Sequence, residues 1–98
     1  MIKGLMLMMN KRSYEKAITD FDMAIQIKPD FAEAFYYRGL NKSKLKLYKE
    51  AIADYDQAIR LKPDYAEAYC NRGVAKGKLK KYQDAIADYD QAIQLNPD

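Results

Sequence analysis

The stretch Lys28–Gly39, KPDFAEAFYYRG, returns thirty-four positions later as Lys62–Gly73, KPDYAEAYCNRG. Extending the comparison outward decides the architecture. Aligned without gaps, residues 31–64 and 65–98 are identical at 22 of 34 positions, and residues 14–30 match 48–64 at 10 of 17. A period of this length marks stacked supersecondary units, each unable to bury its apolar face alone. The chain therefore reads as two full repeats, 31–64 and 65–98, after an incomplete first one at 1–30, all within one domain of 98 residues.

Inside a repeat the apolar spacing is helical. Tyr48, Ala51, Ile52, Tyr55, Ala58 and Ile59 recur at the i, i+3, i+4, i+7 spacing of one helix face. Ala34, Phe35, Gly39 and Leu45 form a comparable stripe in the first half. Lys46–Leu47 breaks the halves, and Lys62–Pro63–Asp64 breaks the repeats, because proline cannot continue a helix. Asp30 and Asp64, each followed three residues later by Glu33 or Glu67, are expected to cap the next helix. Each unit is thus expected to be an antiparallel hairpin of helices about 13–14 residues long, roughly 20 Å each. Gly39 and Gly73 lie mid-helix, where glycine costs about 1 kcal/mol against alanine, so a neighbouring helix is expected to cross there.

Composition excludes several classes. The residues are 49% apolar and 32% charged, which is globular rather than disordered, and a net charge of +3 argues against a dedicated nucleic-acid binder. One cysteine forms no internal disulfide, and the opening MIKGLMLMMN is too short to span a membrane and has no small-residue cleavage site. The expectation is a cytoplasmic protein without a membrane segment. Residues 1–10 are expected to form a short, frayed first helix packed on a second at 14–27.

These residues closely resemble the tetratricopeptide repeat over nearly the whole chain. Phe35 and Tyr69, Gly39 and Gly73, Ala51 and Ala85, Tyr55 and Tyr89, Ala58 and Ala92, and Pro63 and Pro97 stand at its signature positions; Ala17, Phe21, Ala24 and Pro29 match in the first unit. The resemblance implies an all-α, right-handed superhelical array of antiparallel helix hairpins, whose first helices line a concave peptide-binding groove. Arg38 and Arg72 replace the family's usual leucine, and Asp54 and Asp88 a frequent aromatic, together in both full repeats. Each arginine is expected to pair with the aspartate of its own hairpin. Lys42 and Lys76 replace another usual aromatic, which suggests more solvated helix ends.

Little supports catalysis. The chain has no histidine, which removes the common acid–base, triad and zinc chemistries, and it has no glycine-rich phosphate loop. Asp54 and Asp56 point about 200° apart on a helix, so they do not share an ion. The expectation is no enzyme, no metal and no cofactor. Lys42, Lys44, Lys46 and Lys49, echoed by Lys76, Lys78, Lys80 and Lys81, form a basic ridge for RNA or an acidic partner, or simply complement helix C-termini.

The leading expectation is a scaffold that binds a partner protein or peptide. The resemblance places Glu33, Tyr36, Tyr37, Leu40, Lys44, Glu67, Cys70, Asn71, Val74 and Lys78 along its groove. Tyr36 has the alternative of covering a neighbouring helix. Of the family's carboxylate clamp for chaperone C-termini, only Asn71 is present. A second expectation is self-assembly, by end-to-end stacking or hairpin exchange, through an uncapped end face at Tyr89 and Ile93.

Overall fold

A computed structural model describes residues 10–97, so the helix expected within residues 1–10 lies almost wholly outside the described part. Five helices follow in order: α1 Lys11–Ile27, α2 Ala32–Lys44, α3 Tyr48–Leu61, α4 Ala66–Lys78 and α5 Tyr82–Leu95. No strand occurs among the described residues. Each helix packs on its sequence neighbours, and α2 also touches α4, so the fold is the expected all-α array of hairpins.

The two full hairpins have helices of 13 and 14 residues each. α1 begins three residues before the expected 14, because Asn10 caps it: its side-chain oxygen accepts from the Ser13 N–H at 3.2 Å. The aspartates after each proline do not cap. Phe31 and Tyr65 hold the N-cap positions without a side-chain hydrogen bond, and their carbonyls accept from the Ala34 and Ala68 N–H groups at 3.1 Å. Asp30 and Asp64 sit one residue too early, inside the turn closed by Phe31 N–H to the Lys28 carbonyl and Tyr65 N–H to the Lys62 carbonyl.

Within each hairpin the turn is a Schellman closure. The Leu47 N–H donates to the Lys42 carbonyl and the Lys46 N–H to the Ser43 carbonyl, both at 2.9 Å, and Lys81 and Lys80 repeat the pattern. The motif needs a left-handed residue, and lysine supplies it at φ 64° for Lys46 and 65° for Lys80. A side chain there costs roughly 1 kcal/mol.

The core sits where α3 lies between α2 and α4. Ala51, Tyr55, Ala58 and Ala68 are fully buried. A β-carbon on Gly39 would lie 2.9 Å from the Tyr55 ring and 3.1 Å from the Ala51 carbonyl, so the helices cross there in contact; Gly73 meets Tyr89 and Ala85 identically.

Candidate functional site

In each full repeat one arginine ties together a lysine-bearing helix and two aspartates. Arg38 donates from Nε to Asp54 Oδ2 at 2.9 Å and from Nη2 to Oδ1 at 2.7 Å, a bidentate pair within its own hairpin. Its remaining Nη1 reaches back to Asp22 Oδ1 on α1 at 2.8 Å. One repeat later Arg72 holds Asp88 and reaches back to Asp56 on α3 at 2.8 Å. So the two carboxylates of the Asp54-Tyr55-Asp56 run serve different arginines: Asp54 answers Arg38, and Asp56 answers Arg72. The expected pairing is present, and the back-reaching contact is an addition to it.

Lys42 and Lys76 also join the network, donating to Asp54 and Asp88 at 3.0 Å, rather than being left in solvent as expected. They lie one turn beyond the arginines, within reach of the same carboxylate. Burial alone would raise the Asp88 carboxyl, but hydrogen bonds from Arg72 and Lys76 hold it below the ordinary range. The basic ridge thereby loses one lysine per repeat.

The groove residues divide. Tyr36 is 8% exposed, and Asn71 Nδ2 donates to its hydroxyl at 2.8 Å; its ring lies 4.9 Å from that of Tyr65 and 5.0 Å from that of Tyr37. Tyr36 therefore belongs to the packing between α2 and α4, the alternative that the sequence left open, and Asn71 is tied to it. Burial raises the Tyr36 phenol, and the Asn71 hydrogen bond partly offsets this. Tyr37 is stacked on Phe21 at 5.9 Å yet remains 45% exposed. Leu40, Lys44, Asn71, Val74 and Lys78 come together around a notch of about 170 Å³ between α2 and α4. Glu33 and Glu67 are exposed in the first turns, at the opposite end of the same helices.

Glu67 and Cys70 open elsewhere. With Ala66, Tyr89, Ala92, Ile93 and Asn96 they line a hollow of about 450 Å³ on the outer side of the last hairpin. Two groove positions and the two end-face positions thus share one cavity. Sequence reasoning missed a second hollow of about 520 Å³, where Lys11, Tyr14 and Glu15 meet the turn at Lys44–Leu47. It also missed Tyr65, whose aromatic character at the helix start, repeated from Phe31, was the available signal.

Among the described residues no acidic or cysteine cluster could hold a metal ion, and no helix is long and apolar enough to cross a membrane. What the geometry defines is a solenoid of helical hairpins. The family comparison makes this specific: a tetratricopeptide-repeat model matches residues 66–98, and a second, described as TPR repeat, matches 11–43 and 44–80. The chain belongs to the tetratricopeptide-repeat family.

Solved structures agree. The first TPR of Spaghetti (RPAP3), bound to the HSP90 peptide SRMEEVD, is 27% identical with a TM-score of 0.87, covering 98% of this chain and 75% of its own. The TPR domain of Arabidopsis OM64 is 27% identical with a TM-score of 0.86, over 88% of this chain and 71% of that one. MamA is 25% identical with a TM-score of 0.83 over 87% of this chain, which spans 50% of the MamA chain. Comparison with curated protein sequences finds no match.

Proposed function

We propose that the chain is a non-catalytic adaptor that holds an extended segment of a partner protein across α2 and α4. Tetratricopeptide-repeat domains are protein–protein interaction modules. The observation that carries the reading is the pair Tyr37 and Val74, 45% and 42% exposed, on helices whose other large apolar groups are mostly engaged in packing. Apolar surface next to the Leu40 notch suits one apolar side chain of the partner. Lys44 and Lys78 at the notch suit an acidic residue beside it.

The partner differs from the peptide in the Spaghetti structure. Tyr36 is buried, Leu40 is apolar, and one N–H of the Asn71 amide is bonded to Tyr36, so a carboxylate clamp lacks most of its donors here. RNA is disfavoured, because Lys42 and Lys76 are turned onto aspartates. A cytoplasmic setting fits the one cysteine, which is free and exposed.

The test is a display library of extended peptides selected against the chain and against a Tyr37→Ala/Val74→Asp variant. Selected peptides should carry an apolar residue followed by an acid, and should lose binding to the variant while its melting temperature holds. Equal recovery on both proteins, or no enrichment, would overturn the groove reading.

A further inference from the structure

We propose that the edge of the molecule formed by the turns inside the hairpins docks on an anionic membrane surface. Lys11 and Arg12 open α1 on this edge. Lys44, Lys46 and Lys49 surround the α2–α3 turn, and Lys78, Lys80 and Lys81 surround the α4–α5 turn. The three stations adjoin: Lys11 shares a hollow with Lys44 and Lys46, and Lys44 shares the next notch with Lys78. All eight side chains are exposed, and none makes an ion pair among the described residues. Glu15, Glu50 and Asp84 are the carboxylates of the same edge, so its excess of positive charge is larger than the chain's net +3.

Folding does not explain these cations. Lys44 and Lys78 end their helices and answer the macrodipole. Lys11, Arg12, Lys49 and Lys81 stand instead at helix N-termini, where the dipole opposes a cation. Lys46 and Lys80 hold the left-handed turn positions, at φ 64° and 65°, that glycine takes without strain. Local structure thus disfavours a lysine or arginine at six of the eight positions. A partner of opposite charge is what favours them there.

The chemistry of the edge selects a lipid surface among polyanions. Leu47 and Tyr82 are 40% and 60% exposed beside the lysines of the two turns. Tyr14, Leu45 and Leu47 line the hollow whose cations are Lys11, Lys44 and Lys46. Apolar groups set among ammonium groups match the boundary between headgroups and acyl chains, where tyrosine also resides. Single-stranded RNA would need a run of exposed rings to stack its bases, and of the aromatic residues on this edge only Tyr82 is exposed. Seven of the eight cations are lysine, a point charge suited to a field of headgroups, rather than arginine with its bidentate grip on one phosphate or carboxylate.

The test is co-flotation of the full chain with phosphatidylcholine vesicles that hold either no phosphatidylserine or about 30% of it. We expect capture by the anionic vesicles alone, lost as salt is raised toward about 0.5 M. Lys44 and Lys78 also border the groove, so the variants leave them in place. Lys46→Gly/Lys80→Gly should weaken capture about thirtyfold, the scale of two lysines at an anionic surface, while the melting temperature does not fall. The equal charge change at the opposite end of the hairpins, Lys28→Gln/Arg60→Gln, should alter capture by less than about twofold. Tyr37→Ala should leave it intact, which separates this edge from the groove. Equal capture by neutral vesicles, native capture of the double glycine variant, or an equal loss in the Lys28/Arg60 variant would overturn the proposal. So would single-stranded RNA or an acidic peptide that strips the chain from the vesicles at a lower concentration of charge than the lipid supplies, since a nucleic acid or a protein would then be the occupant.

Discussion

α3 and α5 are nearly one sequence in two surroundings. YKEAIADYDQAIRL and YQDAIADYDQAIQL differ only at the pairs 49/83, 50/84 and 60/94. On α3 the ring of Tyr55 is fully buried, while Tyr89 is half-buried; Ile52 and Ile59 are half-buried, while Ile86 and Ile93 are exposed. Both helices pack on the first helix of their own hairpin, and among the described residues α3 is also covered by a following one. The amphipathic stripe therefore has two sides, and sequence sets what each can accept, whereas burial is decided by the neighbour. In a solenoid this is the nearest-neighbour term made visible in a single chain.

The largest expected difference lies at the two tyrosines. Tyr55→Ala should cost about 3–5 kcal/mol, the range for emptying a packed aromatic site, and Tyr89→Ala about half as much, by chemical denaturation. Equal costs would break the comparison. Next come the glycines: Gly39→Ala forces the Tyr55 ring or the Ala51 carbonyl to move, and should cost about 2 kcal/mol. Gly73→Ala meets the same distances, but Tyr89 has free space on its outer side and should yield, for about 1 kcal/mol.

The ion network gives a third, smaller contrast. A double-mutant cycle on Arg38 and Asp54 should show coupling of about 1.5–3 kcal/mol, since both carboxylate oxygens accept charged hydrogen bonds on a buried residue. Arg38 with Asp22, whose side chain is half exposed, should couple by less than about 1 kcal/mol. At the acid end, Asp88 is held below its ordinary pKa, so its contribution is present above about pH 4 and is lost as pH falls through the folded value. Asp88→Asn should flatten that part of the stability profile.

Alkali probes α3. Burial pushes the Tyr55 phenol up to about 12, against about 10 unfolded, so its stabilisation is intact below pH 10 and lost as pH rises toward 12. Tyr55→Phe should remove this alkaline loss, at the cost of the 3.3 Å contact with Ser43 Oγ. The smallest effect belongs to the turns: Lys46→Gly and Lys80→Gly should each raise stability by about 0.5–1 kcal/mol by relieving the positive φ.

Much of this was legible in the residues. The period set the hairpins, and mid-helix glycine marked where another helix crosses. Arginine and aspartate replacing apolar residues together set the pair inside each hairpin. Three features were not legible, for physical reasons. A D-x-x-E run reads as a capping box, but the proline-led turn consumes the aspartate and passes the cap to the Phe31 or Tyr65 backbone. Tyr36 is buried by Tyr65 and Asn71, residues of the next repeat, so its own helix carries no sign of it. The back-reaching arginine contacts depend on how one hairpin is rotated against the last, which the spacing of Asp54 and Asp56 hints at only by sending them to opposite sides.

The most direct measurement of the central contrast is amide hydrogen exchange over residues 52–58 and 86–92, stretches of identical sequence that each follow an alanine. Intrinsic exchange rates are therefore matched, and only the surroundings differ. The account predicts that the α3 amides exchange through the global unfolding reaction, while those of α5 open at distinctly lower free energy. Equal protection in the two stretches would contradict it.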